Sequence, residues 1–440
     1  MKDKIVLYDH QKKAVKNFTN KNQILAHEMG LGKTLTSAHI GQGDKNLVVC
    51  PAKLKQSWVE ELHLIDETDI QVIQTAKDEI EDKSWTIVSY DIVQNIYQDL
   101  IDKDYDHLFL DESHYIKGKF TYSKRLKKMS GTKRAGASVL LSQSARHVIL
   151  TTGTPIMNKP IELWNQLLAI DAQITRDISR TTFSKVYCGG HLKNMGKFRF
   201  WWEQGATKLE ELREKIKHDI DIVRKSEATN LPPKVISRKI IEFTATEQKE
   251  YDKAWDEYVA FIEQHPDYSL DKIKNIVEAQ QLVEVQKLSQ ITSLAKMNAV
   301  IEDLDNLETG ERVVIFAEYV KTIEELNKAL KKKKITYSTL KEKDSVEKFK
   351  KGEVQVFTSN IIAGGTGLNL QKDCNLIWII DENWTPAINQ QAEDRIHRYG
   401  QVGTAFITYY EVYGTVDERR KAINVEKKKI IKKIMNPEKE

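Results

Sequence analysis

His27-Glu28-Met29-Gly30-Leu31-Gly32-Lys33-Thr34 stands between the apolar run Ile24-Leu25-Ala26 and a segment patterned as a helix. A strand that turns through glycines into a helix aims backbone N–H groups, and the positive end of the helix dipole, at a phosphate. In such a loop Gly30, Leu31 and Gly32 wrap the phosphates, Lys33 neutralises charge at the β and γ positions, and the Thr34 hydroxyl is a magnesium ligand. The stricter pattern GxxxxGK[ST] is broken at its first glycine, where His27 stands.

Outward from this loop, compact apolar runs recur between helical stretches: Leu47–Cys50, Thr86–Ser89, Leu108–Leu110 and Val148–Leu150. Continuous apolar runs suit strands buried on both faces of a parallel sheet. The pattern returns at Val313–Phe316, Val354–Phe357, Leu376–Ile380 and Phe406–Tyr409. Strands alternating with helices predict an α/β fold in two lobes, residues 1–168 and 295–420. The stretch 169–294 has few strand-like runs and reads as helical insertions bracketing an interlobe linker, with Leu231-Pro232-Pro233 breaking the helical pattern. The chain from Val416 to Lys433 is lysine-rich and reads as helical, with 421–440 set apart as a helical basic tail.

Composition narrows the class. The 440 residues carry 68 basic and 64 acidic side chains, a net charge of +4, and 40% hydrophobic residues. No apolar run approaches the ~20 residues of a membrane span, and MKDKIVLYDHQ lacks a signal peptide's apolar stretch. These features predict a cytoplasmic protein, or a nuclear one. Cys50, Cys188 and Cys374 lie far apart and suggest neither a disulfide framework nor a metal pair. Charge is more informative locally. Lys117, Lys119, Lys124, Arg125, Lys127, Lys128, Lys133 and Arg134 follow one another with no acid between them. Such a cluster binds phosphate backbones by releasing counterions, although charge alone does not separate it from a solvated loop.

Asp111-Glu112-Ser113-His114 ends an apolar run, and ligands of parallel sheets sit at the carboxyl ends of strands. Asp111 suits a magnesium site through water, and Glu112 suits orienting and deprotonating an attacking water. Without the phosphate loop the pair would be only a polar cap. Thr152-Gly153-Thr154-Pro155 ends another strand, as a nucleotide sensor or simply as a turn. Gln11, in Leu7-Tyr8-Asp9-His10-Gln11, offers an amide to adenine, though a single glutamine decides nothing. In the second lobe, Gly364-Gly365-Thr366-Gly367 permits close backbone approach. Gln391, Arg395 and Arg398, spaced i, i+4 and i+7, predict one helix face. Arginines reaching a γ-phosphate from another domain stabilise transition-state charge. A surface helix paired with Glu393 and Asp394 is the other reading.

Taken in order, LYDHQ, HEMGLGKT, VVCPAKLKQSWVEE, LDESHYIKG, LTTGTPIMNKPIELW, VVIFAEY, IAGGTGLNL and NWTPAINQQAEDRIHRYGQ resemble the Swi/Snf-type ATPases of helicase superfamily 2, near the annealing-helicase branch. The resemblance covers nearly the whole chain. It implies two RecA-like lobes, with ATP and Mg²⁺ as cofactors and double-stranded DNA as partner. The implied roles are adenine contact for Gln11; phosphate and Mg²⁺ for Lys33 and Thr34; Mg²⁺ and water activation for Asp111 and Glu112; and second-lobe contacts for Gln391, Arg395 and Arg398. Gly365, Thr366 and Trp384 join the basic cluster as candidate DNA contacts. Departures are His27 in place of the family's aspartate, Arg224-Lys225 in place of an arginine pair, and extra basic sequence between Ile116 and Arg146. The expected activity is ATP-driven translocation on duplex DNA. A strand-separating or annealing helicase, or the motor subunit of a nuclease or repair assembly with a protein partner, is the alternative.

Overall fold

The computed structural model describes residues 6–435, apart from 19–20, 124–127, 196–197, 229, 265–282, 309, 343, 365–368 and 373. It separates into two compact units. Lobe one comprises residues 1–193, 199–229 and 430–440, and lobe two residues 194–198 and 230–429.

Lobe one is built on seven parallel strands: β1 (Gln23–His27), β2 (Asn46–Cys50), β3 (Ile70–Val72), β4 (Trp85–Ser89), β5 (His107–Asp111), β8 (His147–Thr151) and β11 (Ile220–Val223). Their order is β11-β1-β8-β5-β2-β4-β3. The apolar runs are explained by burial on both faces. Leu47 and Val49 of β2 enter one hydrophobic cluster, while Val48 and Cys50 enter the other, as the two-residue side-chain period requires. Two hairpins lie outside this sheet. β6 (Phe120–Ser123) pairs antiparallel with β7 (Lys128–Gly131). β9 (His191–Met195) pairs with β10 (Phe198–Trp202).

Lobe two has six parallel strands: β12 (Lys234–Ile241), β13 (Val313–Ala317), β14 (Tyr337–Thr339), β15 (Val356–Asn360), β16 (Leu376–Ile379) and β17 (Ala405–Val412). They are ordered β12-β17-β16-β13-β15-β14. Val314 and Phe316 pack on one face of this sheet, and Val313, Ile315 and Ala317 on the other.

The middle of the chain differs from expectation. Residues 169–294 divide between the two units and supply an outer strand to each sheet, β11 to lobe one and β12 to lobe two. Leu209, Leu212, Ile216 and Ile220 keep helical spacing, yet the helix ends at Ile216 and Ile220 opens β11 beside Ile24. The four-residue β11 is too short to show a strand period in sequence. The expected tail helix is present as Val416–Met435, and its Ile434 and Met435 are buried in the core of lobe one.

Candidate nucleotide site

In lobe one β1, β8 and β5 are adjacent, so the three motifs that follow them emerge at one sheet edge. Thr151 is level with Leu25 of β1 on one side and Asp111 of β5 on the other. The loop after β1 turns through Gly30 (φ 84°) and Gly32 (φ 68°) into the helix Lys33–Ile40. These left-handed angles disfavour a side chain. At Gly32 space forbids one as well, because an added Cβ would lie 2.4 Å from Gln11 Nε2. Gln11 is buried; its amide donates to the Gly32 carbonyl at 3.1 Å and its Oε1 accepts from the Tyr8 N–H at 2.8 Å. His10 Nε2 lies 2.9 Å from the Leu31 carbonyl oxygen. The first helix, Asp9–Asn17, thus braces the loop with two side chains. Lys33 Nζ donates back to the His27 and Glu28 carbonyls, at 2.9 and 3.3 Å. Thr34 is half-buried in the first helical turn.

Asp111 is buried at the end of β5. Its Oδ2 accepts from Trp58 Nε1 at 2.9 Å, and its Oδ1 from the Thr151 hydroxyl at 2.7 Å and the Glu112 N–H at 3.0 Å. Burial first, and the Glu112 charge second, push the Asp111 carboxyl upward, while Thr151, Trp58 and Lys33 oppose the rise. Glu112 takes left-handed angles, φ 52° and ψ 53°, a strained backbone for a residue with a Cβ. Its Oε2 lies 3.2 Å from His114 Nδ1, which is also 3.3 Å from the Thr152 hydroxyl. Gly153 presses on the phosphate loop: a Cβ there would meet Met29 Cγ at 3.0 Å. Gln11, Gly30–Thr34, Asp111, Glu112 and the Thr152–Pro155 turn therefore belong to one site.

His27 has a partner that sequence reading did not find. It is fully buried, and its Nε2 lies 2.9 Å from Asp221 Oδ2 on β11. Burial lowers the imidazole pKa, and the hydrogen bond from His27 lowers that of Asp221. A neutral imidazole donating to an ionised carboxylate satisfies both directions. The strand pairing sets Ala26 level with Ile222 and Leu25 level with Asp221, a juxtaposition invisible while β11 is read as helix.

Of the basic cluster, Lys117 and Lys119 are exposed at the foot of the β6–β7 hairpin; Lys128 opens β7, and Lys124, Arg125 and Lys127 lie outside the described residues. The extra basic sequence therefore includes a two-stranded hairpin. It is anchored where Phe120 and Met129 close over Gly136.

In lobe two Gln391 ends as expected on a helix, Pro386–Glu393, but that helix stops before the arginines. The chain continues in tight turns, with Arg395 N–H to Ala392 O at 3.1 Å and Arg398 N–H to Ile396 O at 3.1 Å. The expected single helical face is thus corrected: Arg395 Nε donates to the Gln391 carbonyl at 2.9 Å, and the Arg398 guanidinium bonds Asn369 Oδ1. Arg395 and Gln391 are buried, and Arg398 is half-buried. Gly365 and Thr366 lie outside the described residues. Trp384 is corrected as a DNA contact. The residue is 6% exposed, packed with Tyr251, Leu288, Val416 and Ile423, and the Arg420 guanidinium lies 4.9 Å from its ring centroid.

Behind Trp384 lies a buried charge cluster that sequence reading also missed. Lys296 Nζ reaches Asp417 Oδ2 at 2.7 Å, Asp381 Oδ1 at 3.5 Å and the Ile380 carbonyl at 2.8 Å. Arg420 donates to the Glu382 carbonyl at 3.0 Å and to Ser289 Oγ at 2.7 Å. The signal was present in Asp381-Glu382, an acidic pair that closes an apolar strand just as Asp111-Glu112 does.

Comparison with known proteins now places the chain. The SNF2-related domain matches residues 10–302, and the helicase conserved C-terminal domain matches residues 295–400. The chain belongs to the SNF2 family. The mouse protein named DNA annealing helicase and endonuclease ZRANB3 is 27% identical over 445 residues, covering 95% of this chain and 39% of that protein. The bovine SWI/SNF-related matrix-associated actin-dependent regulator of chromatin subfamily A-like protein 1 is 27% identical, covering 93% of this chain and 42% of that protein. This SNF2 chain therefore spans about two fifths of the length of these relatives. The Sulfolobus solfataricus SWI2/SNF2 ATPase core in complex with dsDNA aligns with a TM-score of 0.45 at 20% identity, over 98% of this chain and 97% of that one. Among the described residues no helix is long and apolar enough to cross a membrane.

Proposed function

We propose that this SNF2-family chain is an ATP-driven motor that tracks along double-stranded DNA and remodels DNA or protein–DNA complexes. The observation that carries the reading is the convergence of the phosphate loop, the Asp111-Glu112 pair and the Thr152–Pro155 turn on three adjacent strand ends of lobe one. Lys33 binds the β- and γ-phosphates of ATP after leaving the His27 and Glu28 carbonyls. Glu112, held in its strained conformation, orients a water and takes its proton as that water attacks the γ-phosphorus. Arg395 and Arg398 supply positive charge from lobe two.

The residues present fit a magnesium ion. The buried Asp111 carboxylate and its neighbour Glu112 concentrate negative charge, which a dication offsets. Thr34 would hold the ion directly and Asp111 through water, and the ion would neutralise phosphate charge. Lys117, Lys119 and the β6–β7 hairpin grip the duplex backbone, which predicts weak sequence preference and strong salt dependence. Net movement follows if ATP binding and hydrolysis change the affinity of each lobe for DNA by different amounts. The place of action is the compartment that holds DNA.

The test is phosphate release measured without nucleic acid and with single-stranded DNA, duplex, forked DNA and RNA, run beside triplex-displacement and strand-displacement assays. Duplex-stimulated turnover with triplex displacement and no strand separation is the expected result. Strand separation or annealing in place of triplex displacement would support a helicase instead. Absence of turnover would refute both.

A further inference from the structure

We infer that Glu162, Asn165 and Gln166 form a positioning clamp that transmits duplex engagement at the β6–β7 hairpin to the hydrolytic carboxylate. The inference deepens the motor reading and rests on it. The three side chains stand on the turn Pro160–Leu163 and the short helix Trp164–Ala169. All are buried, with relative exposures of 4%, 4% and 0%. Buried polar groups contribute little net stability, but they are costly when unpaired, so a satisfied set fixes the relative position of whatever it joins.

The set joins three loops. Gln166 Oε1 accepts from the hydroxyl of Ser113, the residue after Glu112, at 2.9 Å, while its Nε2 donates to the Pro155 carbonyl at 2.7 Å. Glu162 Oε2 accepts the N–H groups of Met157 and Asn158, at 2.8 and 2.9 Å. Asn165 Nδ2 bridges the carbonyls of Ile116 and Gly118, at 2.7 and 2.8 Å. That bridge holds the chain between the Asp111-Glu112 pair and β6. The segment has little room to relax, since a Cβ on Gly118 would lie 2.3 Å from Thr132 Oγ1. Lys117, inside the bridged segment, reaches Met157 Sδ at 3.4 Å and Glu162 Oε1 at 3.8 Å. A displacement of the hairpin foot by a bound duplex is therefore passed through Asn165 and Gln166 to Ser113, and so to the backbone of Glu112. The Asn165 amide bonds backbone carbonyls downstream of the Asp111-Glu112 pair rather than either carboxylate; its role is to position.

Asn165→Ala removes both donors of the bridge. Phosphate release is measured with saturating duplex and without DNA, together with duplex affinity and the thermal midpoint. Turnover without DNA should stay within about twofold and duplex affinity within about threefold, while the stimulation by duplex falls roughly tenfold or more. Asn165→Ser retains one donor, guards against a folding defect, and should give intermediate stimulation. Stimulation equal to the parent's in both variants would overturn the clamp, as would a proportionate loss of basal and stimulated turnover. A parent chain with no duplex stimulation would remove the motor reading itself and the clamp with it.

Discussion

Glu318→Gln should change the pH dependence of stability in a calculable way. Glu318 follows β13, its side chain only 12% exposed, with Oε1 3.2 Å from Asn383 Nδ2 and Oε2 3.9 Å from Arg420. It shares this space with Asp381, Asp417, Lys296 and Arg420, so three carboxylates face two cations. Burial raises the Glu318 carboxyl most; Arg420 opposes, Asp381 adds, and the result is pushed up from 4.5 to about 7. An acid whose folded pKa is raised destabilises the fold as it ionises. Stability is undiminished below about pH 4.5, declines as pH rises, and is lowered by a constant amount above about pH 7. At about 1.4 kcal/mol per pH unit the full penalty is about 3 kcal/mol, an upper bound for a group with some solvent access. The glutamine variant lacks that slope. Its stability relative to the parent should therefore grow by about 2 kcal/mol between pH 5.5 and pH 8. Urea unfolding of both proteins at the two pH values measures the difference. A difference that stays constant within about 0.5 kcal/mol would show that Glu318 ionises normally and refute the argument.

Lys33→Ala should reduce ATP turnover by ~10³ or more while duplex binding persists; turnover near the parent's in a phosphate-release assay would displace the assigned site. For Arg398→Ala, kcat should fall by ~10² or more, with the KM for ATP within about threefold. Steady-state kinetics at saturating duplex reads this, and an unaltered kcat removes the arginine from catalysis. His27→Asp restores the family's residue but sets a second carboxylate beside Asp221, and should cost about 2 kcal/mol of stability. Adding Asp221→Asn to that variant should recover most of the loss, and no recovery in urea melts would break the proposed pairing.

The parts of the molecule legible in sequence are those governed by local chemistry. Gly30 and Gly32 mark a backbone that only glycine tolerates, and Asp111 and Glu112 lie where a buried strand meets solvent. Both sheets were readable because strands buried on two faces are written as unbroken apolar runs. What escaped depends on pairing between distant segments. Asp221 finds His27 across two strands 194 positions apart in the chain. Trp384 was read as a nucleic-acid contact because its neighbours belong to a motif; the helices that cover it come from elsewhere in the chain. Arg395 and Arg398 keep helical spacing, yet the hydrogen bonds tighten after Glu393, and spacing alone does not report where a helix ends. Nothing in the spacing of Asn165 and Gln166 marks them, since the Ile116, Gly118 and Pro155 carbonyls they bind belong to other segments of the chain.

The order of strands also has a consequence for biosynthesis. β1 is the first strand of its sheet to be made, yet both of its neighbours, β8 and β11, come late, the second ending at Val223. At ~5–20 residues per second, the ribosome needs roughly 10–40 s to deliver that last partner. Throughout that interval the nascent chain carries the strand leading into the phosphate loop with at least one edge bare, a surface prone to mispairing. Chaperone demand during synthesis should therefore peak before residue 223 emerges and fall once it has.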